Sequence, residues 1–122
     1  MITSASLNDI LFLGKYEYTF ELGPHEVKFN LCTVGQEQDS INSAHAGETN
    51  QKAALMAASL ISVKGYKFSD GDDSFLEKYR FLRALKRPVF DHLWDNYNAA
   101  LTLQFKTFNE FIEKNRDEVK KS

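Results

Sequence analysis

A single cysteine in 122 residues leaves no intramolecular disulfide to staple the fold. Cys32 lies in an apolar alternation and reads as a small core residue. No basic neighbour in sequence depresses its pKa, so a reactive thiol is not indicated and a reducing compartment fits. Proline is nearly absent, at Pro24 and Pro88 only, and there are six glycines. With so few of both, there is no flexible linker and no low-complexity tract. The three histidines, His25, His45 and His92, form no pair at helical spacing, so there is no zinc signature. No apolar run approaches the ~20 residues that cross a bilayer. The first residues lack the charged-then-apolar pattern of a signal peptide, which predicts a cytosolic chain. Neither sign of charge dominates: 15 basic and 17 acidic residues give a net charge of −2. Nothing global therefore points to nucleic acid or an anionic membrane. Phosphate-cradling glycines and a nucleophile elbow are both missing.

Aromatic residues are abundant: ten Phe, five Tyr and one Trp. Their large buried area supports a core without disulfides. The length favours one domain over residues 1–122. Residues 1–9 are small and polar and read as a loose arm. Ile10 to Leu22 alternates, with Tyr16, Tyr18, Phe20 and Leu22 on one face. After Gly23-Pro24-His25, Val27, Phe29, Leu31 and Thr33 alternate against Lys28, Asn30 and Cys32. Two such runs around a short link predict a β-hairpin over 10–34.

Residues 35–119 read as mainly helical, with a polar tail at 120–122. Thr33 and Gln36 form a capping box that opens a helix near Val34 and carries it toward Gly47. Thr49 or Asn50 caps the next helix, NQKAALMAASLIS. Val63 to Phe68, with Gly65, alternates briefly and reads as a small extended or hairpin segment. Ser74 and Glu77 make a second capping box, opening FLEKYRFLRALKR. Pro88 disfavours helical backbone at Arg87 and predicts a break there.

The longest helix follows. From Pro88 to Val119, Phe90, Trp94, Tyr97, Leu101, Phe105, Phe108 and Ile112 recur in steps of three and four. Val89, Leu93 and Phe111 widen the stripe. A helix of about 30 residues is roughly 45 Å long, more than a small domain surrounds. The stripe up to Leu103 reads as core. Phe105, Phe108, Phe111 and Ile112 read as an intermolecular contact, because large exposed apolar patches mark interaction sites.

Three other groups bear on chemistry. Asp70, Asp72 and Ser74 match the start of a calcium loop, but Phe75 stands where glycine is required and Phe81 where the bidentate Glu belongs. Capping and turn formation account for them better. His92 lies between Asp91 and Asp95, which reads as a solvated flank rather than an acid–base site. No catalytic residues, metal or cofactor are expected. Arg80, Arg83 and Arg87, spaced for one helix face and extended by Lys78 and Lys86, form a secondary polar surface. The alternative they raise is a small nucleic-acid-associated regulator.

The order YEYTFELGPHEVKFNLCTVGQEQ, AALMAASLISVKGYKF and FLRALKRPVFDHLWDNYNAAL resembles the tail assembly chaperone and baseplate-hub assembly proteins of long-tailed, contractile-type bacteriophages. The likeness spans Leu13 to Leu103 and rests on element order with a few apolar, Gly and Pro positions. It implies a non-enzymatic protein that binds tape-measure, hub or baseplate subunits, or a copy of itself. It implies host cytoplasm during assembly, or the virion tail. The expected fold is α+β: an N-terminal β-hairpin packed on a bundle of about four helices, the longest at the C-terminus.

Overall fold

The computed structural model describes residues 17–69, 71 and 74–121; in the last helix the side chains at 111 and 115–121 lie outside that description. The expected arm at 1–9, the first residues of the predicted hairpin at 10–16, and Asp70, Asp72 and Asp73 lie outside the described residues.

Strand β1 (Glu17–Leu22) pairs antiparallel with β2 (His25–Asn30), from Glu17 opposite Asn30 to Leu22 opposite His25. The two-residue connection puts Gly23 at φ 60°, followed by the fixed negative φ of Pro24. That sign pattern is a type II′ turn, whose twist matches the flanking strands. The period-two alternation is realised as expected: Tyr18, Phe20 and Leu22 face inward on β1, and Val27 and Phe29 are buried on β2.

The capping box then opens α1 (Val34–Ser43). Thr33 Oγ1 accepts from Gln36 N–H at 3.2 Å, and Gln36 Oε1 accepts from Thr33 N–H at 2.9 Å. The helix stops at Ser43, short of Gly47. Helix α2 (Glu48–Ser59) starts from Gly47, whose φ of 113° excludes most side chains. Neither Thr49 nor Asn50 is the cap; both lie inside the first turn, and Asn50 Nδ2 donates back to the Ala46 carbonyl at 2.8 Å.

The larger correction follows Ser59. The helix predicted to run to Ser62 ends three residues earlier, and Leu60–Val63 forms β3. This strand joins the free side of β2, making a three-stranded antiparallel sheet in the order β1-β2-β3. Val27 faces Val63 and Phe29 faces Leu60, with a register shift between them. The extra residue of this bulge, Ile61, lets Leu60 and Val63 both turn inward although they are three apart.

Helix α3 (Ser74–Arg83) follows the loop closed at Ser74. Ser74 is its first residue, and Glu77 does not complete a capping box with it. The Glu77 carboxylate instead accepts from the Ser69 N–H and, at 2.8 Å, from Ser69 Oγ. Those two bonds, aided by nearby Arg80, hold Glu77 below the usual carboxylate pKa. The chain breaks at residues 84–86, and α4 (Arg87–Lys121) is one continuous helix with Pro88 in its first turn.

Helix α2 is the centre of the packing. Ala53, Ala54, Met56 and Ala57 are buried on it, and the small side chains let β2, α1, α3 and α4 approach closely. Val27, Phe29, Leu60 and Val63 from the sheet meet Tyr79 and Leu82 of α3 and Phe90, Leu93 and Tyr97 of α4 in one core. A smaller aromatic group, Tyr66, Phe68 and Phe81, fastens the loop after β3, with ring centroids 5.0 and 5.5 Å apart.

Candidate interaction surface

Helix α4 divides into two halves with the same pattern and different surroundings. In the first, Phe90, Leu93, Tyr97 and Ala100 are buried under the sheet and α2. Near the middle of the helix a narrow cleft is lined by Glu17, Tyr18, Phe29 and Leu31 on one side and Ala100, Leu103 and Gln104 on the other. From there the helix runs on for 17 residues to Lys121, about 25 Å at 1.5 Å per residue. The apolar steps continue on this overhang. Phe105 is 62% exposed, Phe108 37% and Ile112 46%, and Leu103 at its root is 47% exposed. At 100° per residue, Phe105, Phe108 and Ile112 fall within about 60° of one another, forming one face. The side chain of Phe111, the fourth predicted contact residue, lies outside the described residues.

The arginines are arranged differently from the expectation. Arg80 and Arg83 end α3, whereas Arg87 begins α4, so the three do not share a helix face. The break imposed before Pro88 separates them. Arg80 is exposed. The Arg83 guanidinium lies 5.4 Å from the Tyr79 ring centroid and its Nη1 is 3.3 Å from His45 Nδ1. Arg87 lies over Phe90 and pairs with Asp91 at 3.4 Å. Arg83 and Arg87 nevertheless flank one open groove of about 330 Å³, with Thr49, Asn50, Leu82, Leu85 and Phe90.

His45 was not marked out by the sequence as part of any cluster. Its ring stacks on Tyr79 at 5.8 Å and 6°. The His45 backbone N–H donates to the Tyr79 hydroxyl at 3.1 Å, and His45 Nδ1 lies 2.9 Å from that hydroxyl. The partners are 34 and 38 residues apart, so no local pattern announces them.

Among the described residues, the contacts of His92 include none with its flanking aspartates. His92 is exposed, meets the edge of Phe20 at 6.1 Å, and its Nε2 is 3.4 Å from Asn96 Nδ2. Asp91 is paired with Arg87 instead. Among the described residues, no three His, Cys, Asp or Glu side chains converge as metal ligands. No helix among them is long and apolar enough to cross a membrane. Cys32 is half-buried, and burial pushes its thiol pKa up rather than activating it.

No family model, curated protein or solved structure matches this chain. The distal face of α4 and the arginine groove are thus weighed on their physical chemistry alone. The face offers apolar area without polar anchors. The groove offers two guanidiniums already engaged by neighbours.

Proposed function

We propose that this protein acts in bacteriophage tail or baseplate assembly through protein–protein contacts, as an assembly chaperone or a minor tail subunit. The observation that carries a contact role is the row Phe105, Phe108 and Ile112, exposed on one face of the last helix. Large exposed apolar rows are rare on solitary soluble proteins and mark sites that another chain covers. The phage setting comes from the sequence resemblance, and the partners it implies are tape-measure, hub or baseplate subunits.

The arginine groove supports a nucleic-acid role less well. Arg83 is committed to Tyr79 and His45, and Arg87 to Asp91, so phosphate binding there must displace existing contacts.

The test is co-purification from cells expressing the full tail gene set, with partners identified by mass spectrometry. Wild type is expected to retain a tail component, and Phe108→Asp to lose it while keeping its helical circular-dichroism spectrum. Equal capture by both proteins argues against the stripe, and retention only of proteins unrelated to tails argues against the phage setting.

A further inference from the structure

We propose that the groove between α2, α3 and α4 binds an acidic segment of a partner protein, with carboxylates taken by Arg83 and Arg87. The site stands apart from the distal stripe and does not depend on it. Thr49 and Asn50 from the first turn of α2, Arg83 at the end of α3 and Arg87 at the start of α4 line the groove together with Leu85. The two arginines are the only charged side chains among its lining residues.

Charge there runs against that of the whole chain. The protein carries a net −2, yet the segments that build the groove, residues 47–52 and 80–91, hold five basic side chains against two acidic ones. Both acidic ones are paired: Glu48 with Lys52 and Asp91 with Arg87, each at 3.4 Å. Glu77, three residues before Arg80, is engaged by Ser69. Arg80, Arg83 and Lys86 remain in excess, and each is exposed. A basic rim of this kind attracts and orients anionic groups on approach.

The guanidiniums are also held in place. Arg83 lies 5.4 Å from the ring centroid of Tyr79 and Arg87 5.5 Å from that of Phe90, and both rings are buried. A planar guanidinium resting on a fixed ring loses less freedom when its N–H fork takes a carboxylate. The contacts that give way are weak ones. Arg87 and Asp91 form an ion pair between two side chains that are each more than half exposed, and His45 Nδ1 lies 3.3 Å from Arg83.

A peptide fits this lining better than a nucleic acid. Phe90 is the one ring among the lining residues, and at 4% exposure it offers no face for a base to stack on. Half-buried Leu85 instead meets an aliphatic side chain set between two acids. A volume of about 330 Å³ is at the small end of ligand sites and suits a short segment.

Titration of the full chain with acetyl-Glu-Leu-Glu-amide at low salt, followed by nitrogen–proton correlation NMR, tests the site. Saturable shifts centred on residues 47–52 and 80–91 are expected, with a dissociation constant on the order of 1 mM. The uncharged control acetyl-Gln-Leu-Gln-amide should bind at least about tenfold more weakly, and the double variant Arg83→Gln, Arg87→Gln should weaken the acidic peptide by a similar factor. Arg87→Gln alone, at an exposed position, is the second variant, with a loss of about threefold expected; the dispersion of the same spectra reports whether each variant is folded. Phe108→Asp should bind the peptide as wild type does, so failure of the stripe leaves this site standing. No saturation by about 10 mM, shifts centred elsewhere, equal binding of the uncharged control, or undiminished binding by the folded arginine variants overturns the site. Tighter binding of the dinucleotide pTpT overturns the assignment to a peptide.

Discussion

Phe29 has no exposed surface; Phe20 stacks on it at 5.7 Å and Tyr97 meets it edge-on at 5.9 Å. Phe29→Ala removes a ring from the junction of sheet and α4 and leaves a cavity that three elements must fill. The expected loss is about 3–5 kcal/mol of stability, read from urea denaturation. Tyr97 carries a different consequence. Burial pushes its hydroxyl pKa up to about 12, with the negative charge that Cys32 and Glu37 can carry adding to the effect. An unfolded tyrosine ionises near ~10, so between these values the unfolded state loses the proton while the folded state keeps it. The stability this difference provides is complete below pH ~10 and disappears as pH rises through the folded value. Alkaline titration followed by tyrosinate absorbance should show one tyrosine ionising late, together with loss of helix. Tyr97→Phe should remove that late component.

At the scale of elements, local chemistry was legible wherever the partners were near in sequence. Thr33 and Gln36, three residues apart, announced α1, and both reciprocal bonds are present. Thr33→Ala should lower stability by about 1 kcal/mol, measured by thermal melting, because the Gln36 N–H loses its side-chain acceptor while the bond from the residue-33 N–H to Gln36 Oε1 keeps both partners. The hairpin was legible through strict alternation around Gly23-Pro24; Pro88 pointed to a break nearby, but the break lies at residues 84–86 and Arg87 itself is the first helical residue, with Pro88 in the tolerated first turn. Strand β3 was hidden for a physical reason. Its bulge puts Leu60 and Val63 on one face at a spacing of three, which imitates a helix and continues the alanine-rich run before it. Its pairing partner, β2, is more than thirty residues earlier, so tertiary pairing overrode a local helical preference. The second capping box failed for the same kind of reason. Ser69, brought back by the loop before α3, takes the Glu77 carboxylate that Ser74 was expected to engage.

At the scale of the molecule, the question is which surface governs association, and salt separates the two candidates by sign. The distal stripe was legible as a run of Phe and Ile too long for the domain; the arginine groove was not, because it is assembled from α2, α3 and α4. Apolar association strengthens with an excluded salt such as sulfate, which raises the penalty for keeping Phe105, Phe108 and Ile112 in water. Association through Arg83 and Arg87 must weaken as ionic strength rises, since both lie at an open groove where mobile ions screen them. Residues 105–121 carry five basic and four acidic side chains, so sodium chloride has little net charge to screen there. The expected result is a constant for binding the partner that covers the stripe nearly unchanged between about 50 and 500 mM sodium chloride and increased by 0.5 M sodium sulfate, on the order of several-fold. Light scattering at fixed protein concentration measures both. A steep decline with sodium chloride would assign association to the arginines, because apolar contacts have no mechanism for losing affinity as counterions accumulate.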